Sequence, residues 1–151
     1  MSVKSLFNAT DNDEIVDRIH RLHADSKSAW GKMDVAQMLA HLQVPITVAL
    51  GEAAFKRSMM GYLFGVLAKK KLSNGKPWQK NLPTDKHFVI REKGNFEEER
   101  TKLISFVRRF AQSGPAGISM TPHPFFGKMT AGEWDAITMH HLDHHLRQFG
   151  V

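Results

Sequence analysis

The chain has 151 residues, of which 42% are hydrophobic and 24% are charged, and this composition fits one domain, residues 1–151, with a sizeable core. It contains no cysteine, which excludes a disulfide framework, a thiolate metal site and a cysteine nucleophile. The net charge of +6 raises the question of nucleic acid or an anionic membrane, but no zinc-finger, helix-turn-helix or RNP-like pattern accompanies it.

The basic residues indicate a solvated loop more than a nucleic-acid surface, and attraction to an anionic small molecule is a third interpretation. They cluster at residues 69–71 and continue at Lys76, Lys80 and Lys86. The first eight residues lack the apolar core of a signal peptide. The longest apolar run, residues 59–68, is too short to cross a bilayer. We therefore expect a cytoplasmic protein that binds neither nucleic acid nor membrane.

Two helix-start signals lie in the first forty residues. Thr10 precedes acidic residues that favour a helix N-terminus, and the apolar spacing after it predicts a first helix reaching to about Trp30. Asp34 and Gln37 form a capping-box pattern that begins a second helix. Two histidines of the first segment are expected on or near the surface: His20 and His23.

The second helix carries one histidine, His41, on its apolar side between Met38 and Leu42. Taken alone, it is more simply interpreted as a core histidine with a satisfied hydrogen bond. Pro45, one turn on, cannot donate to the carbonyl of His41, so a kink is predicted there. A kink beside an inward histidine would help to open a pocket.

The middle of the chain is expected to pack on the domain and to cover a pocket. Residues 52–70 are predicted to be helical and apolar with a basic end, and core packing or a dimer face is favoured over a membrane-surface helix. Turn signals in residues 72–94 predict a pocket-covering loop or short extended pieces such as residues 87–91. Trp78 suits a pocket lid or a loop anchor equally well.

Another helix is predicted to begin at Asn95, whose side chain can cap a first turn rich in glutamate. Gly114 and Pro115 end it. The loop that follows contains His123. For this residue a histidine in water is favoured over one that lines a site at the start of the last helix.

The last helix contains four of the nine histidines of the chain within six positions. Thr130 and Glu133 form a second capping box, and Gly150 marks the end. On a helix, residues three or four apart share a face. One stripe therefore combines apolar residues with two histidines and a glutamine: Trp134, Ile137, His141, His145 and Gln148. His140 lies on a more polar stripe, and His144 lies near the boundary.

His141 and His145 have the i, i+4 spacing that lets one helix offer two ligands to a divalent transition metal. The competing interpretation is a helix whose inward histidines only form hydrogen bonds. A single inward histidine would favour that interpretation, whereas two at ligand spacing beside an apolar stripe favour a metal. Burying two imidazoles without partners would cost on the order of a few kcal/mol. A third ligand must come from elsewhere in the chain.

The long amphipathic helices, with few convincing strands, predict an all-α four-helix bundle. Bundles build metal sites in the core from side chains of facing helices. This arrangement can bring His41 to the terminal pair, and the need of that pair for a third ligand reverses the interpretation of His41 as a core histidine.

With these elements in place, the sequence resembles the DinB/YfiT-like metalloprotein superfamily. The matching motifs are Ala40-His41-Leu42 in the second helix and His141-x-x-x-His145-x-x-Gln148 in the last. Two further phrases look like one of its uncharacterised branches: His123-Pro-Phe-Phe-Gly127 and Leu142-Asp-His-His-Leu-Arg-Gln-Phe-Gly150.

The resemblance implies a four-helix bundle, often in a homodimer, with a three-histidine site for nickel or zinc. The positions that match this site are His41, His141 and His145. Members often have Arg-Gly between the last histidine and the glutamine, where this chain has Leu146 and Arg147. Some relatives are thiol-dependent transferases or isomerases, and others are described only as hydrolases.

The favoured function is a metal-dependent enzyme acting on a small molecule, either a thiol-dependent transferase or a hydrolase. Three imidazoles leave coordination positions open, as in catalytic zinc sites. Gln148 can orient a ligand histidine, and so can Asp143 if it faces inward. No general base stands out. The alternative is a non-catalytic, stress-related binding or interaction protein.

Overall fold

Residues 3–151 are described by a computed structural model, and their regular secondary structure is helical. Five α-helices follow one another: α1 (Ala9–His20), α2 (Val35–Ala49), α3 (Met59–Leu72), α4 (Phe96–Ser113) and α5 (Ala131–Gln148). Two 3-10 helices, Lys86–Phe88 and Pro115–Gly117, lie before and after α4. No strand occurs between residues 3 and 151, which confirms the all-α class.

Side-chain caps fix the starts of three helices where the sequence places them. Asp34 and Gln37 form the capping box of α2, and Thr130 and Glu133 form that of α5. The side chain of Asn95 accepts a hydrogen bond from the amide of Glu98, in the first turn of α4. Each cap satisfies backbone amides that the first turn of a helix leaves without partners. The chain stays helical through Pro45 to the end of α2.

The prediction for α1 was wrong at both ends. Its cap is Asn8, whose side-chain oxygen accepts from the amide of Asp11, and asparagine caps helices at least as well as threonine. The helix ends at His20, with Arg21 as its C-cap, and the chain turns soon after it. The amide of His23 donates to Ser26 Oγ, and the amide of Ser26 donates to the carbonyl of His23. Such local side-chain bonds compete with helix.

Four of the helices share one hydrophobic core. α2 and α1 each pack against α4 and α5, with α2 and α4 in the most extensive contact. Asn12 is buried and donates to the carbonyl of Val107, which ties α1 to α4. The largest fully buried side chains include members from all four helices: Ile15, Met38, Phe110 and Trp134. This packing places the apolar side of α2 opposite that of α5.

α3 lies outside this core and packs against α5 and the loop before it. A Cβ on Gly61 would come within 2.6 Å of the carbonyl oxygen of Phe125, and one on Gly65 would come closer still. The sequence favoured core packing or a dimer face for this segment. Core packing was wrong for most of its apolar side chains, because they are exposed. Among residues 3–151, no helix has both the length and the apolar character needed to cross a membrane.

Residues 87–91 were predicted as a possible extended piece, but the first two of them belong to a 3-10 helix. The side chain of Asp85 accepts from the amide of His87 at 3.0 Å and begins the 3-10 helix Lys86–Phe88. This turn packs against α2. The 3-10 helix directs the backbone carbonyl of Phe88 toward the interior.

Candidate metal centre

α2 and α5 bring together the three histidines that the sequence singles out. His41 comes from α2, and His141 and His145 come from successive turns of α5. One ligand atom from each lies within 4.8 Å of the other two, and the ring centroids are 4.7 to 4.9 Å apart. His41 is buried, while His141 and His145 keep a small part of their surface exposed. The cluster therefore sits at the edge of the core.

The imidazole of His41 is oriented by a backbone carbonyl. Its Nδ1 lies 2.8 Å from the carbonyl oxygen of Phe88, which can only accept, so Nδ1 carries the proton. Nε2 of the neutral ring then keeps its lone pair and faces the cluster. Metal-bound histidines are commonly held by such an outer contact, which fixes both tautomer and ring orientation.

Gln148 holds His145 in the same way. Its Oε1 lies 2.7 Å from Nδ1 of His145, and its Nε2 donates to the carbonyl oxygen of Trp30 at 2.6 Å. The carbonyl contact sets which end of the amide faces the histidine. Nε2 of His145 is therefore the free nitrogen. Asp143, the other residue considered for this role, instead pairs with Arg18 and Arg147.

His141 completes the cluster and lies under an aromatic cover. Its Nε2 is 2.8 Å from Nε2 of His41, close enough for one ring to donate to the other. The indole of Trp78 stacks on it with ring centroids 5.6 Å apart. The indole N–H of Trp78 donates to the carbonyl of Leu72 at 2.9 Å. Trp78 thus combines the two roles that the sequence left open, because it anchors the loop and covers the site.

Burial keeps all three imidazoles neutral. Burial is the largest cause of the pKa shift of each ring. The pKa of His41 is lowered, that of His141 lies well below its usual value, and that of His145 is lowered to about 3. The neighbouring histidines add to the effect, because two protonated rings at these distances would repel each other. The neutral imidazole is the form that binds a metal ion.

These residues fit a divalent transition metal. Imidazole nitrogens suit zinc and nickel, and metal–nitrogen bonds of about 2.0–2.1 Å would separate tetrahedral nitrogens by roughly 3.4 Å. That separation lies between the closest nitrogen pair, at 2.8 Å, and the 4.8 Å limit of the cluster. In two of the three imidazoles, those of His41 and His145, an outer contact already fixes the tautomer. The cluster could therefore hold a metal ion.

A small open pocket of about 160 Å³ lies beside the cluster. His144 and His140 contribute to its wall from α5, in agreement with their predicted places at the boundary and on the polar stripe. Lys80 lies over the ring of Trp30 at 4.7 Å. Trp78 separates this pocket from His141. The pocket thus offers aromatic faces, two cationic side chains and the carboxylate of Asp143 next to the covered histidines.

His123 is buried, so the prediction of a loop histidine in water was wrong. Its Nδ1 accepts hydrogen bonds from the amides of Phe125 and Phe126, and its ring packs against Trp134. Burial lowers its pKa to about 3. The residue therefore shapes the loop before α5 as a neutral acceptor and is not one of the three clustered ligands.

Two groups that form the site were not identified from the sequence. The carbonyl of Phe88 has no side-chain signature, although Asp85 two residues before His87 is a turn signal that could have located the 3-10 helix. The carbonyl of Trp30, which holds Gln148, lies in the irregular segment after α1. Both act through the backbone.

The fold and the site define an all-α protein with a three-histidine cluster that could hold a metal ion. Residues 1–150 match the family described as "Protein of unknown function (DUF1569)". The chain belongs to this family. No curated protein and no solved structure matches it.

Proposed function

We propose that this protein is a metal-dependent enzyme that binds nickel or zinc through His41, His141 and His145 and acts on a small molecule. One observation carries the proposal: three buried or partly buried imidazoles converge, and outer contacts direct Nε2 of two of them into the cluster. Structural histidines do not need this convergence. Three histidine ligands that leave a coordination position open are typical of catalytic zinc sites, whereas structural sites are closed.

When bound, such an ion supplies Lewis acidity, lowering the pKa of a coordinated water to about 7 or stabilising a thiolate. The three neutral imidazoles add no charge, so that acidity is retained. Phe88 and Gln148 keep the ring nitrogens in place. The indole of Trp78 covers one face of the His141 ring.

The adjacent pocket supports an anionic small-molecule substrate. Trp30 and Trp78 present their ring faces to it, and two cations, Lys80 and Arg147, outnumber its one carboxylate, Asp143, which pairs with Arg147. A low-molecular-weight thiol carrying carboxylates matches this lining and the resemblance to thiol-dependent members of the DinB/YfiT-like superfamily. We therefore favour thiol-dependent transfer and keep hydrolysis as the second reaction class.

The same resemblance leads us to propose that the chain is a DinB-like four-helix bundle. Support comes from the core, which is built from α1, α2, α4 and α5 while α3 packs outside it. An experimental structure that superposes these four helices on a DinB/YfiT-like protein, with the histidines in matching positions, tests the assignment.

Metal titration of the purified apo-protein tests the site. We expect stoichiometric uptake of nickel or zinc by the full chain. Replacing one ligand, as in His141→Ala or His41→Ala, should lower affinity at least as much as the roughly 10–100-fold that loss of an outer partner causes. His23→Ala is the matched control, because His23 is exposed and outside the cluster, and it should bind as the native chain does.

Unchanged uptake by His141→Ala would show that the ligand assignment is wrong. Absence of uptake by the native chain would leave a non-catalytic binding or interaction protein as the function. The reaction class is separated by adding a low-molecular-weight thiol to the nickel-loaded protein. A sulfur-to-nickel charge-transfer band is expected for thiol transfer, whereas turnover of ester or amide substrates without that band would favour hydrolysis.

A further inference from the structure

The outer face of α3 is the largest apolar surface that the described part of the chain leaves uncovered. Seven of the ten exposed large hydrophobic residues lie on this one helix, with 50% to 80% of each side chain exposed: Met59, Met60, Tyr62, Leu63, Phe64, Val66 and Leu67. At on the order of 100 Å² apiece they present roughly 700 Å², more than the largest apolar patch of a typical monomer. A surface of this size indicates an interaction site.

The helix presents this surface as a convex ridge. Gly61, Gly65 and Ala68 face the domain, since successive residues are rotated by about 100°. Leu63 therefore points directly outward, with Val66 beside it. Exposed apolar side chains cover more than half of the helix circumference. A ridge without a groove fits a deformable medium better than a rigid protein partner.

The positive charge around the ridge favours binding to an anionic surface. Residues 53–84 contain seven of the 21 basic residues of the chain and none of its 15 acidic ones, so the rest of the chain has 14 basic against 15 acidic residues. The entire net positive charge thus lies in the segment that carries the ridge. Lys56 lies before the helix, and Lys70 and Lys71 lie in its last turn, all of them exposed.

We propose that α3 is a docking helix that lies flat on a bilayer containing anionic lipids. Its 14 residues span about 21 Å, shorter than a membrane crossing, which fits a helix buried in the headgroup region. A second copy of the chain would bring the same basic segment against itself. Anionic headgroups instead attract the lysines while the acyl boundary accepts the apolar ridge.

Vesicle flotation of the full chain tests this proposal. We expect binding to vesicles of phosphatidylcholine mixed with phosphatidylserine, weakening as salt rises, and no binding to phosphatidylcholine alone. Leu63→Glu should reduce the partition coefficient by roughly tenfold or more. Lys70→Gln and Lys71→Gln should each reduce it by on the order of fivefold.

Met120→Glu is the matched control, because Met120 is equally exposed, lies outside α3 and takes the same charge change. It should float as the native chain does, and both glutamate variants should keep the native unfolding midpoint. The proposal fails if the native chain does not bind phosphatidylserine vesicles, or if Leu63→Glu and Met120→Glu behave alike. A dimer in solution that Leu63→Glu dissociates, without vesicle binding, would assign the ridge to a second copy.

Discussion

Gly31→Ala perturbs the candidate centre without changing any ligand. Gly31 has φ +80°, and a Cβ there would lie 2.7 Å from Nε2 of Gln148. The amide of Gln148 has to move, and it is the group that joins the carbonyl of Trp30 to Nδ1 of His145. The substitution therefore loosens His145 from a distance.

Gly75→Ala isolates this effect. Gly75 has nearly the same φ, +78°, but no atom lies within 4 Å of its added Cβ. Both variants share the cost of an alanine in the left-handed region, roughly 1–2 kcal/mol. Only Gly31→Ala also disturbs the two hydrogen bonds of Gln148, worth about 1 kcal/mol each. The free energy of unfolding should therefore fall by about 2 kcal/mol more in Gly31→Ala than in Gly75→Ala.

Two assays read the consequence. Urea unfolding of the metal-free variants measures the difference in stability. A competition titration with zinc or nickel measures affinity, which should fall roughly 10–100-fold in Gly31→Ala and stay native in Gly75→Ala. Gln148→Ala should reproduce the loss of affinity. Equal affinities of the two glycine variants would refute the role of Gln148 in orienting His145.

Lowering the pH from 7 to 5 should reduce the unfolding free energy of the metal-free protein by about 2 kcal/mol for each of His123 and His145. Burial holds both pKa values at about 3, while unfolded histidine titrates near 6.5, so this stability is complete above pH 6.5 and is lost toward pH 3. Urea unfolding at pH 7, 6 and 5 checks it, and a flat profile would contradict it. Gly65→Ala should lower stability by about 1–3 kcal/mol, because its Cβ would overlap the carbonyl of Phe125. Gly132→Ala, whose Cβ meets nothing nearer than 4.0 Å, should instead raise it by about 0.5–1 kcal/mol, and thermal unfolding of the pair tests the order.

Helix starts were predictable where one side chain fixes them. Asp34, Asn95 and Thr130 each bond to amides within their own first turn, so the signal is local in sequence. The end of α1 was not predictable from apolar spacing, because the chain leaves the helix after His20 and turns at residues 23–26 while the spacing continues. The placement of α3 depends on close approach to the carbonyl of Phe125, a tertiary contact.

The same distinction applies to the site. His141 and His145 share a face by helix geometry, and Gln148 lies one turn from His145, so this half was predicted. His41 required an assumption about which helices face each other. The carbonyl of Phe88 could not be predicted, because every residue has a carbonyl and only the folded loop directs this one at His41.

The hydrogen-bonded and the metal-bound interpretations of the cluster are two states of one arrangement. His41 donates from Nδ1 to Phe88, so its Nε2 can accept from His141, and without an ion the buried pair is still satisfied. The metal-free protein therefore has no need of an ion to fold. Among the described residues, His141 is the one clustered histidine for which no hydrogen bond fixes the Nδ1 position. It alone can move its proton from Nε2 to Nδ1 without breaking an outer contact. This shift would release the hydrogen bond between His141 and His41 and leave all three Nε2 atoms unprotonated and able to bind an ion.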